Sequence, residues 1–179
     1  MKLNLNMKIL MLIPILFITF GDFPYQNSVH AQDNTNNTNK FKALSINSET
    51  LSILNVRYYI KEGDKFIKNG DFEKAKDFYL DARKLAKQLA SFYSDLNKTY
   101  SGVDARIPIE MQSKGKATLE ILAETNDRLA SLYIKDGSPE VAVPLLIEII
   151  RIMSPETQEG KEAYKRLIRL GFVETEYKG

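Results

Sequence analysis

Four carboxylates stand close together in one stretch of this chain: Glu110, Glu120, Glu124 and Asp127. At helical spacing Glu120, Glu124 and Asp127 share a face, because residues three and four apart are neighbours on a helix. Paired carboxylates do acid–base work when burial drives their pKa values apart, one keeping its proton while the other accepts one. Such a pair would serve a hydrolase. Lys114, Lys116 and Arg128 lie among them, and nearby cations favour the ionised form of a carboxylate. No glycine-rich phosphate loop or nucleophile elbow accompanies the group. The chain has no cysteine and a single histidine, His30, so zinc–thiolate sites, disulfide frameworks and cysteine nucleophiles are excluded. An envelope hydrolase using third-helix carboxylates is therefore the second reading of this sequence. No catalytic or metal-ligating residue is assigned, and no cofactor is expected.

The elements that would carry these groups are all helical by their apolar spacing. A first helix, capped by Asn47 or Ser48 and running to Lys68, carries Leu51, Val56, Tyr59, Ile60, Gly63, Phe66 and Ile67 as a stripe. Asn69-Gly70 stops it, since glycine readily takes the left-handed conformation of a helix end. A long second helix follows, with Ala75, Phe78, Tyr79, Ala82, Leu85, Ala86, Leu89, Phe92, Tyr93 and Leu96 held at spacings of three and four. The loop 101–110 contains Asp104 and Arg106, expected to pair with each other or with the backbone, and Pro108 opens the next helix. The third helix extends from Ile109 to Lys135 and buries Met111, Ala117, Leu119, Ile121, Leu122, Leu129, Ala130, Leu132 and Tyr133.

The fourth helix, Pro139 to Met153, is apolar nearly all round, which suits the middle of a bundle or the underside of a partner. Pro144 lies inside it and should bend its first turns. Ser154-Pro155 restarts a fifth helix that ends at Leu170-Gly171 and leaves 172–179 as a tail. The expected fold is all-α: antiparallel helical hairpins in an array or bundle of about five helices, with two long central ones.

The stretch Tyr59 to Leu85 gives this expectation a more specific form. Tyr59, Gly63 and Phe66, then Gly70-Asp71-Phe72 at a turn, then Ala75, Tyr79 and Ala82 alternate large and small residues across a hairpin. Glycine inside a helix costs about 1 kcal/mol against alanine, and a second helix packed where a side chain would clash offsets that. The pattern resembles the tetratricopeptide repeat, a helix–turn–helix unit of about 34 residues. Glu62 stands where that family has leucine, and Lys87 where it has a closing proline, so the second helix is expected to run on. The pattern returns 67 residues later, from Gly63 to Ala130, in Leu129, Ala130, Tyr133, Gly137 and Ala142, with Asn126 in place of the first aromatic and Ile149 of the last alanine. The interval leaves Ala90 to Leu122 as a candidate degenerate middle repeat. Two repeats bury too little to be stable alone; the long helices, the C-terminal helix or a homodimer sharing the fourth helix would complete the core.

The resemblance also implies a ligand groove lined by first helices. By position that groove holds Arg57, Ile60, Lys61, Asp64, Ile67 and Lys68, then Asp127, Arg128, Ser131, Ile134 and Lys135. Ile60 and Asp64 break the family's clamp for a C-terminal carboxylate. The mixed face suits an extended peptide or another protein.

The remaining features concern the address of the chain. Lys2 and Lys8 precede the apolar run Ile9 to Phe20, interrupted by Pro14, and Val29-His30-Ala31 precedes Gln32. Residues 1–31 read as an export signal or signal anchor, because a span needs about 20 apolar residues. Residues 32–47, rich in asparagine and threonine, read as a flexible linker. The helical domain is 48–171. A formal net charge of +2 over 179 residues carries no polyelectrolyte signal for nucleic acid, and membrane contact is expected only through an uncleaved N-terminus. The leading reading is an exported, non-enzymatic protein-binding scaffold of the periplasm or thylakoid lumen that helps assemble or maintain a membrane complex. Intact-mass measurement after cell fractionation should find the chain either beginning at Gln32 or retained whole in the membrane fraction; whole chain in the cytosol would contradict the export signal.

Overall fold

A computed structural model describes residues 51–178. The export signal, the linker and the caps expected at Asn47 or Ser48 lie outside the described residues. Five helices follow one another: α1 (Ile53–Lys68), α2 (Phe72–Tyr100), α3 (Arg106–Lys135), α4 (Pro139–Met153) and α5 (Gln158–Arg169). Among the described residues there is no strand, and no helix is long and apolar enough to cross a membrane. Each helix packs antiparallel against the next, through short turns at 69–71, 101–105, 136–138 and 154–157.

The ends of the helices follow from local hydrogen bonding. Ser52, rather than a residue before it, caps α1 by accepting from the Asn55 amide at 3.2 Å; Leu51 precedes the cap and is partly exposed. Asp71 caps α2 through the Lys74 amide. Asp104 and Arg106 do pair: the Asp104 carboxylate accepts from the Arg106 amide at 3.0 Å and its guanidinium at 2.7 Å. That turn starts α3 at Arg106, three residues before Ile109, and puts Pro108 in the first turn, where its missing N–H leaves no bond unmade.

The fifth helix begins later than Ser154-Pro155 suggests. Ser154 takes φ +75° and its carbonyl turns under the chain, accepting from the Thr157 hydroxyl at 3.0 Å. Thr157 then caps α5 through the Gly160 amide. A Cβ on Gly160 would stand 2.0 Å from the Ser154 carbonyl oxygen, so the corner needs glycine there. Beyond Gly171 the chain is not a loose tail: Tyr164 donates to the Thr175 carbonyl at 2.7 Å, Tyr177 packs edge-on to Tyr164, and Val173 joins the core.

One contiguous core runs through the five helices, from Val56 and Ile60 on α1 to Ala163 and Leu167 on α5. On α2 it stops at Leu89 and on α3 it starts at Ile121. The rest of these two helices forms an arm beyond α1 and α4, which explains why Phe92 and Leu119, expected inside, are exposed. Residues 90–122 are the end of α2, the turn 101–105 and the start of α3, with no helix break near 90 or 122. On α4, Ala142, Leu145, Leu146 and Ile149 are buried while Val141 and Ile147 are exposed.

At Gly63, α1 and α2 approach closely. A Cβ there would lie 2.5 Å from the ring of Tyr79, which is 2% exposed. The ring cannot swing away cheaply, because its hydroxyl donates to Asp64 at 2.6 Å. Gly63→Leu should lower stability by about 1–3 kcal/mol through overpacking. An unchanged urea midpoint would show that Tyr79 repacks without cost.

Candidate functional site

The residues expected to line a groove separate into three groups. Ile60 does not face solvent at all; it is 5% exposed, since its spacing from Val56 and Gly63 puts it on the hairpin side of α1. Ile67 and Ile134 pack half-buried against the core. Arg57, Lys61, Lys68, Asp127, Ser131 and Lys135 are exposed, and Asp64 and Arg128 are half-buried between α1 and α3.

Asp64 and Arg128 are committed to each other. Arg128 donates from Nε to one Asp64 oxygen at 3.0 Å, and that oxygen also accepts from the Tyr79 hydroxyl. Burial alone would raise the Asp64 carboxyl, but the hydrogen bonds from Arg128 and Tyr79 outweigh it and hold the group below its usual value. Burial, and then the hydrogen bond to Asp64, push the Tyr79 hydroxyl the other way, so it stays a donor. Arg128 also reaches Glu124 at 2.9 Å. A second joint links α3 to α5: Arg166 pairs with Asp127 and donates to Ser131 Oγ at 3.2 Å. Lys135 lies 3.6 Å from the centroid of the Phe72 ring, a cation–π contact that packs the start of α2 against the end of α3.

These joints fix the geometry of the face. Because each helix runs antiparallel to the one before it, α1, α3 and α5 run in the same direction, and the 64–128 and 127–166 pairs bridge α1 to α3 and α3 to α5. Arg57, Lys61 and Lys68 continue the Asp64 stripe along α1 at spacings of four, three and four.

The carboxylates are spread along α3 rather than gathered. Glu110 pairs with Lys114 on the arm. Glu120, Glu124 and Asp127 border a cleft of about 640 Å³ between α3, α4 and α5, together with Glu159 and Glu162. All three are exposed, Glu124 answers Arg128, and Asp127 answers Arg166. None of the three is buried, so the arrangement does not set a sheltered carboxyl beside an exposed one. Among the described residues no group of three or more His, Cys, Asp or Glu side chains is arranged to hold a metal.

A polar cluster on the opposite side escaped the sequence reading. Asn126 is fully buried, accepting from Arg83 at 2.7 Å and donating to Glu148 at 3.0 Å. Glu148 also accepts from Arg83 at 2.6 Å and Lys87 at 2.7 Å. The signal was present, for Glu148 is the lone charge within Val141 to Ile150. Comparison with family models, curated proteins and solved structures returns no match for this chain.

Burial pushes the Glu148 carboxyl up, but hydrogen bonds from Lys87 and Arg83 prevail and hold it below its ordinary value. A carboxyl with a depressed folded-state pKa contributes stability above its unfolded value, and that contribution fades as pH falls through the folded value. Glu148→Gln should therefore cost about 1–3 kcal/mol at pH 7 after allowance for its partial exposure. In urea titrations the difference from the parent should shrink as the pH is lowered below the ordinary glutamate range. A difference independent of pH would contradict the ion-pair account.

Proposed function

We propose that this protein is an exported, non-enzymatic helical scaffold that binds another protein or an extended peptide and helps assemble or hold an envelope or membrane complex; in a photosynthetic host the thylakoid lumen is the equivalent compartment. The observation that carries the reading is the row of same-direction helices α1, α3 and α5, cross-linked by Asp64–Arg128 and Asp127–Arg166. Those joints fix the face before a partner arrives, which lowers the ordering cost of binding. Arg57, Lys61, Lys68 and Lys135 stay exposed along it, where charges steer a partner and set its register. The resemblance of Tyr59 to Ala82 to a tetratricopeptide hairpin supports the same role, and the basic and apolar N-terminal residues support export.

One observation favours the second reading, an envelope hydrolase: Glu120 and Glu124 share a cleft with Glu159. Their exposure and the Glu124–Arg128 contact weigh against it. The two readings differ in what happens to the bound molecule. A scaffold returns it intact, whereas a hydrolase releases fragments.

A photo-crosslinking side chain placed at Lys61 or Lys68 should capture a partner in whole cells, and one at Lys84 on α2 should not. The double reversal Arg57→Glu with Lys61→Glu should lower capture about fivefold or more with unchanged helicity. Equal capture from α1 and from Lys84, or recovery of the partner only as fragments, would overturn the scaffold reading.

A further inference from the structure

A groove of about 900 Å³ runs along the arm, where Ala90 and Tyr93 of α2 face Met111 and Leu119 of α3, bordered at one end by Ile152 and Met153 of α4. It does not end there. Glu120 and Met153 line both this groove and the 640 Å³ cleft between α3, α4 and α5, so the two adjoin there as the two halves of a channel along α3. The character of the channel changes along its length. The arm half is mainly apolar, with a rim of serine, asparagine and glutamine and two charged residues, Lys116 and Glu120. The other half keeps an apolar floor of Ala123, Ile149 and Ala163, but every charged residue lining it is a carboxylate.

Those carboxylates are not equally satisfied. Glu124, Asp127 and Glu162 are answered by Arg128, Arg166 and Arg169. Glu120 and Glu159 take part in no ion pair among the described residues. The protein as a whole carries a formal net charge of +2, so this local negative field runs against the average charge of the molecule. A recess with low-dielectric walls focuses such a field and draws in the opposite charge. Anions and nucleic acid are disfavoured for the same reason.

We propose that the channel docks a polypeptide segment that is apolar at one end and carries lysine or arginine at the other. Its apolar side chains lie over Tyr93, Met111, Leu119 and Met153, two of them methionines whose flexible thioethers adapt to varied shapes. Its cation sits between Glu120 and Glu159. From Met111 to Asp127 the channel wall is about 24 Å long at the helical rise, the span of about seven extended residues. The inference rests on the scaffold reading and names the chemistry of a partner segment, at a place separate from the basic stripe of α1.

The test uses the purified protein and a fluorescent peptide of four apolar residues followed by three lysines, with a counterpart carrying glutamates in place of the lysines. Anisotropy should show saturable binding of the first peptide, at least about tenfold tighter than the second, weakening as salt screens the charges. Glu120→Gln with Glu159→Gln should weaken the lysine peptide about fivefold or more and flatten its salt dependence, while Leu119→Asn should weaken it without changing the salt slope. Equal affinity for both peptides, or no effect of the double glutamine change, overturns the proposal. So does a concentration-dependent dimer that Leu119→Asn abolishes, because a second copy would then cover the arm. If the peptide fails while charge reversal on α1 still lowers partner capture, this channel assignment falls and the scaffold reading stands; if α1 reversal also has no effect, both fall.

Discussion

The whole arrangement depends on a buried tyrosine filling the space where Gly63 has no side chain. The Tyr79 ring fits against α1 only because a Cβ is absent there, and its hydroxyl then emerges beside Asp64. A tyrosine buried this deeply needs a partner for its O–H, or it pays the desolvation cost of an unmade hydrogen bond. Asp64 supplies that partner, and in turn its own half-buried charge is answered by Arg128. One packing decision in the α1–α2 hairpin thus reaches α3, and a face made of separate helices becomes a fixed surface.

A polar cluster works on the other side of α3. Asn126 ties α3 to both α2 and α4 through Arg83 and Glu148, and no buried side-chain polar atom among the described residues lacks a partner. Buried polar groups of this kind add little net stability, but leaving one unmatched is costly, so they select one register of the helices over its neighbours. Thr118 and Thr125 bond back to carbonyls four residues earlier, and α3 itself packs between α2 and α4. Its first half projects with α2 as the arm.

Helix number, order and type were legible in the sequence because apolar spacing and glycine stops act locally. The bounds of α4 and the Gly63 approach came from the same signals. Boundaries failed where a side chain competed with the obvious cap: Thr157 displaced Ser154-Pro155, and Ser52 caps α1. Burial failed at Phe92 and Leu119, since periodicity shows which face is apolar and not how far the neighbouring helix extends. For the site, spacing placed Arg57, Lys61, Asp64 and Lys68 on one stripe. It could not show that Asp64 and Arg128 bond to each other, nor that Arg166 covers Asp127, because those contacts join residues 64 and 39 positions apart. Apolar spacing put Ile60 in the buried stripe, where it lies; only its carry-over to the groove, which came from the resemblance, failed.

The central claim is that Tyr79, Asp64 and Arg128 act as one unit that sets the α1–α3 face. A double-mutant cycle on Tyr79→Phe and Arg128→Met, read from urea unfolding at neutral pH, tests it most directly. Both changes remove a hydrogen bond to the same Asp64 oxygen, so the double variant should depart from the sum of the singles by about 0.5 kcal/mol or more. Strict additivity would mean that the two bonds are independent, and that the face is not organised by the tyrosine beneath it.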